Sequence, residues 1–193
     1  VTGGRPLILA SASPRRKMLL GLAGILFEVR PTPVDETLGP NESPPGHVER
    51  LARAKAAWCA QRDPEAWVLA ADTVVVLGRE IMGKPADEAE AEAMLGRLSG
   101  RVHEVYTGYC LANHQRSEET FASARTEVEF RLLSAYDVET YVRSGEPLGK
   151  AGAYAIQGRG AGMIRRIRGS YTNVVGLPLA EVIELLRTRG LIP

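Results

Sequence analysis

Residues 67–77, Trp-Val-Leu-Ala-Ala-Asp-Thr-Val-Val-Val-Leu, are the most apolar run of the chain. Their β-branched content and the glycine that follows, Gly78, predict a buried central strand. Asp72 breaks this run near its middle. An ionised carboxylate buried without a partner costs several kcal/mol, so Asp72 should be paired, metal-linked or facing a cleft. A structural Asp bonded to a neighbouring loop is one reading. A catalytic or metal-binding role is the one we expect, because perturbed carboxylates cluster at sites.

The second informative stretch is 7–20, Leu-Ile-Leu-Ala-Ser-Ala-Ser-Pro-Arg-Arg-Lys-Met-Leu-Leu. It reads as a short buried strand, a turn with Ser11 and Ser13, and a helix opening at Pro14 with Ser13 as N-cap. Arg15, Arg16 and Lys17 then fall in the first helical turn, where the dipole favours anions. Cations beside unsatisfied backbone N–H groups make an anion site, of which phosphate is the natural occupant. A solvated basic turn is the alternative on this stretch alone.

The length of 193 residues fits one globular domain, with apolar content sufficient for a core. A net charge of +1 supplies no strong field for nucleic acid or an anionic membrane. The chain has neither a bilayer-spanning apolar run nor a secretory leader pattern, so a soluble cytoplasmic protein is expected. Cys59 and Cys110, without CxxC spacing, argue against a disulfide framework or a zinc site. Lysine occurs only at positions 17, 55, 84 and 150 in an arginine-rich chain. Because an ammonium and a guanidinium are not interchangeable at a phosphate, those positions become candidates.

In chain order, a strand is expected at 27–30 and a loop at 31–45 carrying Asp35 and Glu36. A helix follows from about Gly46 to Arg62, with Lys55 inside its apolar stripe. Lys55 there is either snorkelling or in need of a partner. A turn at 83–87 exposes Lys84, and Asp87 caps the next helix, which ends at Gly100. Two strands, 102–111 and 120–132, join around residues 113–115. Ser134 caps a further helix through Val142. A glycine-dense segment at 150–162 lets backbone approach a ligand closely, without matching a dinucleotide fingerprint. Residues 163–168 read as a strand, 169–176 as a turn with a short strand, and Pro178 opens the last helix. His103 and His114 lack ligand spacing and read as non-catalytic. Strand pairs without an intervening helix point to an α/β fold with a mixed sheet flanked by helices.

Ordered motifs then carry a resemblance. They are 9–16 (Leu-Ala-Ser-Ala-Ser-Pro-Arg-Arg), 34–36 (Val-Asp-Glu), 54–56 (Ala-Lys-Ala), 71–75 (Ala-Asp-Thr-Val-Val) and 83–85 (Gly-Lys-Pro). They continue at 98–101 (Leu-Ser-Gly-Arg), 106–108 (Tyr-Thr-Gly), 150–158 (Lys-Ala-Gly-Ala-Tyr-Ala-Ile-Gln-Gly), 169–171 (Gly-Ser-Tyr) and 173–179 (Asn-Val-Val-Gly-Leu-Pro-Leu). In these the chain resembles the Maf family of nucleoside triphosphate pyrophosphatases over nearly its whole length. The resemblance implies a single Maf-like domain over 1–193, two-lobed with a central cleft as in inosine-triphosphatase-like folds. It implies hydrolysis of a nucleoside triphosphate to the monophosphate and pyrophosphate with a divalent metal. The blocks at 153–158 and 169–171 look like the branch acting on dTTP and UTP rather than its sister branch acting on CTP or 7-methyl-GTP.

Carried over residue by residue, Asp72 is the general base, and Arg15, Thr73 and Gln157 are tied to substrate choice. Ser11, Arg16, Glu36, Lys55 and Lys84 match other active-site positions. Asp72 and Glu36 are the expected ligands of Mg²⁺ or Mn²⁺. Gly149 stands where the family usually has Asp, and Val102 where it usually has Thr. A homodimer is common in the family, with links to clearance of modified nucleotides and to cell division. A nucleic-acid-binding regulator is the competing class, and the scarcity of aromatics and the balanced charge give it little support.

Overall fold

The computed structural model describes residues 7–193. Its strands are β1 (Leu7–Leu9), β2 (Phe27–Val29), β3 (Val68–Leu77), β4 (Glu80–Met82), β5 (Val102–Asn113), β6 (Glu118–Phe130) and β7 (Ile164–Arg168). The helices are α1 (Pro14–Leu22), α2 (Pro44–Arg62), α3 (Glu88–Leu98), α4 (Ala135–Val142), α5 (Tyr171–Val175) and α6 (Leu179–Thr188). The strands form a seven-stranded sheet in the order β2-β1-β3-β5-β6-β7, with β4 paired to β3. Pairing of β1 with β2 and with β3 is parallel, whereas β3–β4 and β6–β7 are antiparallel. The α/β class with a mixed sheet is therefore as the sequence indicates.

The chain divides into two compact units, 1–72 with 107–124 and 176–193, and 73–106 with 125–175. In the first, α2 packs through Ala52, Ala56, Cys59 and Ala60 onto Ile8, Ala10, Val68, Ala70, Cys110 and Ala112 of the sheet. Small side chains at so many of these contacts let the helix lie close to the strands. The tightest approach is at Gly108 of β5, where a Cβ would lie 2.8 Å from the Val48 carbonyl oxygen. Val48 and Lys55 are seven residues apart on α2 and share a face, so this contact also fixes the depth of Lys55.

The second unit is larger-grained. Met94, Leu95 and Leu98 of α3 pack with Val128, Phe130, Tyr141, Tyr154 and Met163. His103, Phe130 and Tyr154 meet edge to face, with centroids 4.8–5.2 Å apart. His103 Nε2 lies 2.7 Å from the Tyr154 hydroxyl, and burial pushes its pKa down to about 4. It is a neutral core histidine, consistent with the non-catalytic reading.

The elements depart from or add to the expectations at four places. Helix α2 begins at Pro44 rather than Gly46, because Ser43 Oγ accepts from the Gly46 N–H at 3.2 Å. The Ser-Pro signature that starts α1 recurs there inside a segment whose Pro and Gly content reads as loop. Strand β3 ends before Gly78 as expected, but a two-residue turn there, with Gly78 at φ +66°, adds β4 against β3, a strand not expected from the sequence. Residues 171–175 are helical rather than a strand, although Thr172, Val174 and Val175 are β-branched. There Ser170 Oγ accepts from the Asn173 N–H, while Asn173 Nδ2 donates to the Val105 carbonyl and Thr126 Oγ1. These tertiary bonds outweigh the weak β preference. Strand β6 ends at Phe130, leaving Leu132 exposed beyond it.

Candidate active site

The parallel register places the first group. Leu9 of β1 stands opposite Leu69 of β3, so Ser11, just past the carboxyl end of β1, and Asp72, midway along the longer β3, lie two and three residues beyond that pair in the same direction. Ligands of open α/β sheets are held at carboxyl strand ends. Ser11 and Asp72 are both buried, 7% and 8% exposed.

Helix α1 starts there as the sequence predicts. Ser13 Oγ accepts from the Arg16 N–H at 3.4 Å, Pro14 occupies the first turn, and that turn holds no acidic residue. Arg16 is buried rather than solvated. Its Nε donates to the Gly176 carbonyl at 2.8 Å and its Nη1 to Ser11 Oγ at 3.1 Å. Ser11 Oγ also accepts from the Ser13 N–H at 3.2 Å. Burial lowers the Arg16 pKa, Asp72 and Glu36 oppose that shift, and neighbouring Arg15 adds to it. A guanidinium stays charged under such conditions. A solvated basic turn is thus excluded for Arg16, whose cation lies buried in the field of two carboxylates.

Lys55 is the centre of the second group. Its Nζ donates to Glu36 Oε1 at 2.6 Å and to Asp72 Oδ1 at 2.8 Å. The Lys55 and Asp72 side chains are 7% and 11% exposed, while Glu36 is 44% exposed. Asp72 is therefore paired, as its burial demands, and Lys55 is the partnered form of the two readings. Glu36 reaches Lys55 from the 31–43 loop, which has its own supports. Asp35 Oδ1 accepts from both the N–H and the hydroxyl of Thr37. Glu42 accepts from the Gly39 N–H and from Arg50, and Arg50 also donates to the Thr37 carbonyl. The loop bearing Glu36 is in this way tied to α2, the helix that bears Lys55.

The remaining candidates belong to the second unit. Thr73 follows Asp72 on β3, and successive strand residues face opposite ways. Lys84 is exposed on the turn after β4. The Gly83 carbonyl accepts from the Gly152 N–H at 2.9 Å, which joins the Lys84 turn to the segment carrying Lys150 and Gln157. Gly152 permits that join: it sits at φ +66°, and a Cβ would lie 2.9 Å from Val75 Cγ1. Gln157 is partly exposed and opens a 3-10 turn at Gly158–Met163. Gly149 has φ +73°, a conformation that Asp tolerates better than most residues, so the exchange at this position is conformationally matched.

For a divalent cation, the donor set is two hard carboxylates. Among the described residues no group of three or more His, Cys, Asp or Glu could hold a metal ion. Glu36 and Asp72 nevertheless converge on one cation, the Lys55 ammonium. One or two carboxylates completed by substrate phosphate oxygens is a set that Mg²⁺ accepts. The residues fit a metal that arrives with a phosphorylated substrate. Among the described residues no helix is long and apolar enough to cross a membrane.

The buried cations Arg16 and Lys55, the N–H groups that open α1 and the buried acid Asp72 paired with Lys55 are the polar groups gathered here in this α/β protein. The Maf-like protein family model matches residues 6–189, and the chain belongs to that family. It is 55% identical over 185 residues to the dTTP/UTP pyrophosphatase of Myxococcus xanthus (strain DK1622), covering 96% of this chain and 93% of that protein. It is 52% identical to the dTTP/UTP pyrophosphatase of Syntrophus aciditrophicus (strain SB), covering 95% and 90% of the two chains. The protein of that name from Geotalea uraniireducens (strain Rf4) is 51% identical, with 96% of each chain covered.

Sequence reasoning did not find the supports of the site. Arg50, Glu42 and Gly176 are assigned no role from the sequence, because what each does is visible only in the bonds it makes: Arg50 to Glu42 and the Thr37 carbonyl, and the Gly176 carbonyl to Arg16.

Proposed function

We propose that this chain is a nucleoside triphosphate pyrophosphatase acting on dTTP and UTP, as the relatives are named, and that 1–193 works as one Maf-like domain. The observation that carries the chemistry is the buried Asp72 held by Lys55. A buried carboxylate held in place through Oδ1 is positioned to serve as general base toward an attacking water. Water attacks the α-phosphorus, its proton passes to Asp72, and the bond to the α–β bridging oxygen breaks to release pyrophosphate. Ser11, Arg15, Arg16 and the first N–H groups of α1 bind phosphate oxygens. Lys55 and Lys84 place ammonium charge against the developing negative charge. Glu36 and Asp72 would hold Mg²⁺ or Mn²⁺, which when bound neutralises phosphate charge and polarises the reacting group.

Base choice falls to Gln157, whose amide both donates and accepts and so matches the imide edge of uracil or thymine. Thr73 and Arg15 share in substrate choice. We propose further that the enzyme works in the cytoplasm, as a homodimer, without stable nucleic-acid partners.

Pyrophosphate release from dTTP, UTP, CTP, 7-methyl-GTP and ATP with Mg²⁺ or Mn²⁺ tests the reading. Turnover of dTTP and UTP is expected. A preference for CTP or 7-methyl-GTP would keep the reaction and overturn the base assignment. No turnover of any nucleotide, with oligonucleotide affinity that falls steeply with salt, would overturn the enzyme reading.

A further inference from the structure

The second unit contains a polar network that the catalytic scheme does not use. Tyr141, on the last turn of α4, is 4% exposed. Its hydroxyl donates to Glu146 Oε1 at 3.0 Å and accepts from the Ala155 N–H at 3.1 Å. Glu146 Oε2 accepts from the Arg159 N–H at 3.1 Å, and Oε1 from the Gly160 N–H at 3.2 Å. Lys150 Nζ donates to the Glu146 backbone carbonyl. One carboxylate and one phenol thus take backbone donors from both sides of Gln157, two residues before it and two and three after.

The fit is close. Gly158 has φ +67°, and a Cβ there would come 2.8 Å from Glu146 Oε2. At Gly160 a Cβ would lie 2.1 Å from the Ala155 carbonyl oxygen and 2.9 Å from the Tyr141 hydroxyl. Two of the glycines in this segment therefore serve contact with the network. A glycine-rich loop has many accessible conformations and must be fixed from outside if it is to present one side chain reproducibly. A satisfied polar network supplies that fixation.

We infer that Glu146, oriented by Tyr141 and Lys150, is a positioning residue for selection of the pyrimidine base, acting by holding the loop that bears Gln157. The inference rests on the reading of Gln157 as the base-selecting residue. Glu146 and Tyr141 need touch no substrate, and Lys150 takes its place here as the anchor of the Glu146 backbone. A site that reads a base edge by hydrogen bonds discriminates only as well as its donors and acceptors are placed.

The test compares kcat/KM for UTP and CTP in Tyr141→Phe, Glu146→Gln and Gln157→Ala, with thermal melts confirming folding. Tyr141→Phe removes one hydroxyl and is the gentler change should Glu146→Gln fold poorly. Both framing variants are expected to lower the UTP:CTP ratio about tenfold, mainly through a higher KM for UTP, with kcat within about twofold. A purely structural role would reduce active enzyme and so lower kcat for both nucleotides alike, leaving KM and the ratio unchanged. That result overturns the inference. In the Gln157→Ala background, adding Glu146→Gln should lower the ratio no further; a full additional fall overturns action through Gln157. If Gln157→Ala alone leaves the ratio unchanged, the base-reading assignment itself fails. If Gln157→Ala lowers it and neither framing variant does, only the framing role fails.

Discussion

Helix α2 carries His47 and Arg50 near its start, where they meet Glu42 of the preceding loop, and Lys55 further along, where it meets Glu36 and Asp72. Both groupings are closed by bonds of 2.6–2.9 Å, and on paper each is an acid–base cluster. In the first, the Arg50 side chain is 43% exposed and bonding to it holds Glu42 well below the usual carboxylate range. In the second, Lys55 and Asp72 are almost wholly out of water. An exposed pair is screened and contributes little beyond holding a loop in place. A buried pair interacts strongly and cannot lose one member without stranding the other. Charge alone does not mark a working site: the second cluster differs in burying both the ammonium and a carboxylate of one ion pair, whereas the guanidinium of the first is half exposed.

The sharpest way to break this contrast is Asp72→Asn. The variant keeps an oxygen for Lys55 and loses the base, so kcat should fall by about 10²–10⁴-fold with KM little changed. The melting temperature should fall as well, because the buried ammonium keeps only Glu36 as an anionic hydrogen-bond partner. Steady-state pyrophosphate release with a parallel melt checks it, and near-normal turnover would remove Asp72 from its role. Lys55→Met comes next. It leaves the Asp72 carboxylate buried without its ammonium, and urea unfolding should show a loss of about 3–5 kcal/mol along with the loss of activity.

Gly108→Ala acts on neither cluster directly. It pushes α2 away from β5, with an expected cost of about 1–3 kcal/mol and a fall in kcat as Lys55 shifts against Asp72. Unchanged kinetics in a folded variant would show that the depth of α2 is not critical. The smallest effect is expected for Glu42→Gln, about 1 kcal/mol in denaturant unfolding with catalysis mostly retained. Its pH signature is specific. A carboxylate whose folded pKa is depressed contributes stability that is fully present above its ordinary value of 4.5 and is lost as the pH falls below it. The wild type should therefore lose stability faster than Glu42→Gln on acidification below pH 4.5.

Much of this was legible in the chain. The apolar run around Asp72 pointed to a central strand because its length and many β-branched residues favour a pleated buried surface, and the single acid within it called for a partner. Ser13 and Pro14 set the start of α1 by local capping chemistry, as did Asp87 and Ser134 for α3 and α4. Periodicity put Lys55 on the inner face of α2 without naming its partners. The Ser43–Pro44 start of α2 was equally local, yet the surrounding proline and glycine masked it. Residues 171–175 could not have been read correctly from propensity, because their helix depends on Asn173 reaching β5 and β6.

By itself the sequence determined the things that depend on neighbours within a turn or two: the strand through Asp72, the helix caps, the inward face of α2 and the ordered family motifs. Only the tertiary structure decided that Lys55 serves both Glu36 and Asp72, that Arg16 is buried against Gly176 and Ser11, and that Glu146 gathers the backbone on both sides of Gln157. These are bonds between residues far apart in the chain. Their strength comes from exclusion of water, a property that no short stretch of sequence has until the rest of the chain has folded around it.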